Sequence, residues 1–415
     1  MADLNAVNIK KGRLGANRIS NSDAISGIII GAPVPKSLAH DTAKVIYNLK
    51  DAENMGIDQH FDTSQKVHAY RHISEFYRFA QSGTPLYIMV VDPSTTMSII
   101  CSSKAKIILT QAKGKIRQLA VAANPGGSAK ITMSDGIAKD VHDAISKAQE
   151  LALWAFKYHM PCQVFLEGYN FGGNAASVLN LKELPNLKAT KVSVFIGQDF
   201  NYAKKQTGNR QKYADVGTLL GVCAKAKVFE NIGNNELFNL TSAPENSWLE
   251  PGLSSHQSND TPAIFEQLQT LEDKGYIFGI EYAGLAGVRI NNDHTCCTAI
   301  LDTNNATNEH TIAYGRVNDK AIRELRKKYL PKVKTDWPVD PKTGKMSPGT
   351  VVALEDLGDE VFEDMTKRGE ITYGKTTIDK ESDLLIAKEL KISFAIVPKG
   401  SISEINGTIN LKTKI

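Results

Sequence analysis

Two histidines four residues apart, His68 and His72 in "KVHAYRHISEF", have the spacing with which a helix can present a pair of metal ligands on one face. A hydrolytic zinc helix also needs a glutamate general base beside the first histidine, and Ala69 stands there. The two therefore read as a surface pair, and no metal site is expected. Adjacent Cys296 and Cys297 would point to opposite faces of a strand, so they cannot hold one ion together and read as packing residues. The glycine-rich "EGYNFGGN" has neither of the spacings that cradle phosphate groups and reads as a turn, so no cofactor is expected. Asp92 closes the apolar run "LYIMVV", where α/β enzymes often keep a carboxylate, but no second acid or histidine accompanies it. Without a convergent acid, base, nucleophile or phosphate loop, catalysis is not the expected function. A soluble α/β enzyme or ligand-binding protein is the competing class.

A different kind of chemistry is written into "NDKAIRELRKKYL". A helix from Asn318 puts Ile322, Leu325 and Tyr329 on one side and Lys320, Arg323 and Lys327 on the other. The basic side is either a solvated face, as most charge runs are, or a docking face for an acidic surface.

The elements around these residues alternate. "AISGIIIGAPVP" suits a strand buried on both faces and then a turn; "KVHAYRHISEFYRFA" suits a helix ended by Gly83 and Pro85, and "LYIMVV" a second buried strand. Val141, Ala144, Ile145, Ala148, Leu151, Ala152 and Ala155 form the apolar stripe of another helix, followed by the strands "CQVFLEG" and "KVSVFIG". "DTPAIFEQLQTLEDKGY" carries a helix with Asp260 or Thr261 at its cap, Pro262 in the first turn and Gly275 just past its end. Beyond Tyr276 come strand segments broken by glycine. Next are the helix from Asn318, a proline-rich loop over residues 331–348, a helix through Val351, Leu354, Leu357, Val361 and Met365, and the strand "ELKISFAIVP". The class is mixed α/β. At 415 residues the chain exceeds the size of one core, so two or three units are expected. A net charge of +4 is too small to argue for nucleic acid, and no apolar stretch approaches membrane-spanning length. Five cysteines without CxxC spacing fit reduced, buried thiols, and the absence of a leader pattern fits a cytoplasmic protein.

The two ends behave unlike the middle. Ile405, Gly407, Ile409, Leu411, Thr413 and Ile415 alternate with polar residues, the period-two pattern of a half-buried strand, although termini fray unless something ties them down. Residues 1–24 are polar, with weak alternation at Val7 and Ile9, and read as an extended arm. A strand with an apolar face requires a neighbouring strand, either in its own sheet or at the edge of another molecule's sheet. Exchange of arms that runs head to tail without closing gives a filament.

The order of these segments resembles the contractile tail sheath proteins of phages, R-type bacteriocins and related injection systems. The resemblance rests on "AISGIIIGAP", "VHAYRHISEFYRFAQSGTPLYIMVV", "KYADVGTLLGVCAKAKVFENIG", "GLAGVRINNDHT", "IAYGRVNDKAIRELRKKYL" and "KISFAIVPKGSISEINGTINLKTKI", in that order over most of the chain. It implies a divergent branch, because "NNDHTCC" keeps only Thr295 of the family's pattern there and a usual arginine pair is reduced to Arg316. It also implies the one-chain sheath of phage type. The implied architecture is an outer α/β domain over residues 25–282, inserted between the arm 1–24 and an inner sheath domain 283–401, with a final arm strand 402–415. The implied function is structural: a helical homopolymer around an inner tail tube, bound to baseplate and tail terminator proteins, contracting to drive the tube through an envelope without nucleotide. A baseplate or tube subunit of the same particle is the alternative. Val7, Ile9, Ile405, Ile409, Leu411 and Ile415 would form the inter-subunit strands, and Lys320, Arg323 and Lys327 would face the tube. Neither nucleic acid nor membrane is a direct partner. Assembly would take place in the cytoplasm of a bacterial cell.

Overall fold

Six short strands, apolar enough to be covered on both faces, build one sheet. The computed structural model describes residues 22–127, 129–259 and 264–412. In it, strands Ala43–Ile46, Leu86–Val91, Ser26–Gly31, Gln118–Ala122, Gln163–Glu167 and Val192–Phe195 lie side by side in that order. All neighbours are parallel except the edge strand Ala43–Ile46, which runs antiparallel to Leu86–Val91. Period two divides each strand between two cores. Ile29, Met89, Val91, Leu119, Val121, Val164 and Val194 face one side, and Ile28, Ile30, Ile88, Val90, Ala120 and Phe165 the other.

The first side is covered by helix Lys139–Lys157, whose seven expected stripe residues are all buried, and by Phe265–Asp273. The cap expected at Asp260 or Thr261, and Pro262, lie outside the described residues, while Gly275 ends the helix at φ +85°. The second side is covered by helices Ala69–Phe79 and Val216–Lys225, which cross each other. The crossing is close because Gly217 and Gly221 present no side chain: a Cβ would stand 2.3 Å from the His72 carbonyl oxygen at Gly217 and 2.8 Å from the Phe76 carbonyl oxygen at Gly221. The large body continues past the strand pair Gly279–Tyr282 and Leu285–Ile290, since Val288, Ile290, Cys296 and Ile312 still belong to its two cores. The expected boundary between residues 282 and 283 falls in the turn of that pair.

A smaller unit follows. Helix Ile312–Tyr329 starts six residues before the expected Asn318, because the Thr311 hydroxyl accepts the Tyr314 N–H at 3.1 Å and caps it there. Helix Pro348–Lys367 lies against it, and the antiparallel pair Ile371–Ile378 and Ile392–Pro398 covers both helices. Val317, Ala321, Leu325, Val361, Phe362, Met365 and Ile371, joined by Val228 from earlier in the chain, make one small core, and Met346, Val351, Leu354 and Ile378 another. All five cysteines are free and buried. No helix among the described residues is long and apolar enough to cross a membrane.

The helix crossing gives a direct test. Gly217→Ala sets a methyl group against backbone, which cannot move aside as a side chain can, and should destabilise the large body by about 1–3 kcal/mol in urea unfolding. An unchanged midpoint would show that the two helices are not packed this closely.

Candidate assembly surface

In open parallel sheets ligands bind beyond the carboxyl ends of the strands. Here that region is filled by the protein's own side chains. Asn124 donates to the Gly31 carbonyl at 2.9 Å and accepts the His68 N–H at 2.9 Å, joining the ends of two central strands. Glu167 accepts the Ala123 and Ala214 N–H groups, and the void left among His68, Glu167, Arg210 and Tyr213 is about 10 Å³.

His68 and His72 are not the surface pair that their spacing suggested. Both are buried, because helix Ala69–Phe79 is covered on one flank by the sheet and on the other by helix Val216–Lys225. The His68 ring stacks on Tyr213 at 4.5 Å and its Nδ1 lies 3.1 Å from the Tyr202 hydroxyl. Burial holds His68 well below its usual range, helped by His72. Burial and the Arg71 charge push His72 down to about 3. Beside them Arg71 donates to Asp215 and Asp199 and pairs with Glu75, which also pairs with Arg78. This buried network, which joins three elements, has no local signature: Arg71 and Asp215 are far apart in sequence. Cys296 and Cys297 are buried as packing residues, Asp92 is exposed and bonded to Ser94, and no metal-holding group of three or more histidine, cysteine, aspartate or glutamate residues occurs among the described residues.

The two bodies meet through Val228, which packs into the small core with Phe229 beside it, and through a set of charged contacts. Asp23, at the start of the described chain, bonds Lys320 at 2.7 Å and Arg323 at 3.3 Å, and Lys320 also bonds Glu370. Burial works to raise the Asp23 carboxyl, but the two cations outweigh it and hold it below the usual carboxylate range. One turn away, Asp319 accepts from Lys191 at 2.7 Å and from Gln163 at 3.2 Å. Lys320 and Arg323 are thus engaged inside the chain rather than forming an open basic row, while Lys327 is exposed. The face that the helix buries runs through Val317, Ala321 and Leu325, with Ile322 and Tyr329 half-buried.

Residues 399–412 form no strand in the single chain, although their pattern has strand period. From Gly400 onward none has a hydrogen bond to another described residue. Ile405, Ile409 and Leu411 are 85%, 93% and 101% exposed. The segment leaves from Ile392–Pro398, which pairs with Ile371–Ile378 and with no other described strand. On the outer face of that pair, Tyr373 and Val397 are opposite each other and exposed. Val7, Ile9 and Ile415 lie outside the described residues.

Residues 4–294 match the family described as DUF2586, N-terminal domain, and residues 310–415 the DUF2586 C-terminal domain. No curated protein sequence matches the chain. Among solved structures, it is similar to a chain of the anti-feeding prophage (AFP) baseplate, with TM-score 0.61, 12% identity and 100% of both chains covered. It is similar to the AFP helical sheath in its contracted state, with TM-score 0.60, 13% identity and 99% of both chains covered. The sheath tail protein of Desulfitobacterium hafniense follows, with TM-score 0.51, 9% identity, and coverage of 95% of this chain and 100% of that one. At these identities the likeness is one of fold, and it spans the whole chain.

Two outcomes are expected from these contacts. Asp23→Asn, at a half-buried pair, should cost about 1–3 kcal/mol and should speed hydrogen exchange over residues 312–329; unchanged exchange would show that the joint does not depend on Asp23. His72 has its pKa lowered on folding, so its contribution is present above the unfolded value of 6.5 and is lost as pH falls from there toward about 3. Asp62 and Glu167, raised by burial to about 7 and about 8, act in the opposite sense, so a difference between variants isolates the histidine. Below pH 6.5, His72→Gln should gain on the wild type by about 1.4 kcal/mol per pH unit in urea unfolding; parallel curves would mean that His72 titrates normally.

Proposed function

The chain belongs to the DUF2586 family, and from that membership, joined to the fold of sheath subunits over its full length, we propose that it is a structural subunit of a contractile sheath. The observation that carries this reading is residues 400–412, an extended segment with strand period, exposed apolar residues and no hydrogen-bond partner among the described residues. Such a segment is satisfied by adding to a sheet in another copy, where main-chain hydrogen bonds hold it and pockets fix its register.

In this reading Ile405, Ile409, Leu411 and Ile415 of one copy, and Val7 and Ile9 of another, add to the sheet edge beside Ile371–Ile378 and Ile392–Pro398. The large sheet with its helices is the outer body, the unit of residues 312–398 is the inner one, and residues 1–24 and 402–415 are the arms. Backbone pairing of the arms tolerates hinging outside the ladder, so neighbours stay linked while the bodies change their relations during contraction. The inner body faces a tail tube, and the ends of the polymer meet baseplate and terminator proteins. Lys327 is open to the tube as the chain stands; Lys320 and Arg323 join it only where Asp23 and Glu370 release them. Assembly takes place in a bacterial cytoplasm, and the subunit performs no chemistry. A second reading, a sheath-like subunit at the baseplate, is favoured by the likeness to a chain of the AFP baseplate.

Deletion of residues 404–415 tests the reading. The described part of this segment contributes nothing to any core, so the shortened chain should keep the melting temperature of the full one. It should remain monomeric in sedimentation and in negative-stain images where the full chain forms cylinders. Cylinders built by the shortened chain would contradict the proposal.

A further inference from the structure

Helix Lys139–Lys157 ends in a surface unlike the rest of its exposed face. Leu153, Phe156 and Tyr158 are 59%, 48% and 56% exposed. Trp154 stands 5.0 Å from the Tyr158 ring and carries Lys106 over its own ring at 5.6 Å. The loop of Lys113 and Lys115 packs beside His159 and Met160, where a Cβ on Gly114 would stand 2.9 Å from the Met160 side chain. Lys113, Lys115 and Lys157 are exposed, and none has an ion-pair partner among the described residues. Glu150, the nearest acid along the helix, is taken by Lys147 at 2.8 Å. An apolar and aromatic centre with an unneutralised basic rim has the anatomy of an interface: aromatic residues supply area and the rim selects the partner by charge.

The complementary surface is on the other body. Helix Pro348–Lys367 has six carboxylates, Glu355, Asp356, Asp359, Glu360, Glu363 and Asp364, against one lysine, Lys367. Val352, Asp356, Glu360 and Glu363 fall on one exposed stripe, at spacings of four, four and three residues. Lys328, Lys375 and Lys367 offset Glu360, Asp359 and Glu363, which leaves the helix with three of its six carboxylates in surplus, among them Asp356 on the stripe, and Val352 exposed at its head. The two surfaces belong to separate cores, and both are exposed in the single chain, so neither covers the other there.

We infer that the patch of Leu153, Phe156, Tyr158, Lys113, Lys115 and Lys157 receives the acidic stripe of helix Pro348–Lys367 from a second copy of this chain. Two different surfaces meet, so the contact is heterologous and propagates instead of closing as a dimer. It deepens the sheath reading and rests on it, adding a side-to-side contact between bodies to the exchange of arms. The exposed ion pairs across it are individually weak and screened by salt, whereas like charges set opposite each other oppose contact.

Charge exchange on the full-length chain tests this. Lys113→Glu, Lys115→Glu and Lys157→Glu together should raise the critical concentration for polymerisation about tenfold or more, since repulsion replaces attraction at every subunit. These side chains are exposed and unpaired, so far-UV circular dichroism and melting should match the wild type. Asp356→Lys with Glu363→Lys should do the same alone, and the two sets combined in one chain should restore polymers. Wild-type polymerisation with either reversal silent would overturn the contact and leave the sheath reading standing. Loss with each set and no rescue by their combination would likewise overturn it, assigning the patches to other partners. A wild-type chain that never polymerises would fail the sheath reading, and this contact with it.

Discussion

An extended backbone carries a row of N–H and C=O groups that only water or another strand can satisfy, and an apolar face along it can be covered only by a sheet. Residues 400–412 meet neither condition within the chain. In the proposed sheath this deficit is met from outside the chain. The two-stranded unit from which the segment departs has no further strand beside it among the described residues, and both of its strands are shorter than nine residues. Two strands alone are marginal in water, and here two helices support one face while the other leaves Tyr373 and Val397 exposed. A sheet so small gains most from added strands.

The joint between the bodies has the opposite character. Within each body apolar cores dominate, beside the buried Arg71 network of the large one, and at the Gly217 crossing the contact is with backbone. Between them Asp23, Lys320, Arg323, Glu370, Asp319, Lys191 and Gln163 form a polar layer beside the apolar contact of Val228. Apolar cores resist continuous deformation, whereas charged groups can exchange partners or be replaced by water at lower cost. Two bodies with their own cores, a largely polar joint and an unpaired segment over residues 400–412 would suit a part that changes its relation to its neighbours while keeping its own fold.

Much of this was legible from residue order. The strands at Ile28, Ile88, Val164 and Val194 are apolar runs because both faces of the sheet are covered, and such runs need no alternation. The helix ending before Gly275 was readable from its punctuation. The start of the Ile312–Tyr329 helix was not, because its first turns read "IAYGR", with Gly315 fitted against the Gln163 side chain. His68 and His72 looked like surface residues because a period of four reports one face, whereas this helix is enclosed from two directions. Lys320 and Arg323 looked free because their partner Asp23 lies about three hundred residues earlier, a distance no local pattern spans. The segment at Ile405 shows the reverse case: the sequence carries the strand pattern, and the structure of one chain lacks the sheet that would use it.

Hydrogen exchange over residues 402–412, compared between monomer and polymer of the same preparation, tests the central claim most directly. If the segment becomes a strand in a neighbour's sheet, its amides exchange at the rate of an unstructured peptide in the monomer. In the polymer, alternate amides, those pointing into the ladder, become strongly protected. Equal, fast exchange in both states would mean that the segment stays unpaired and that the subunits are held by other contacts.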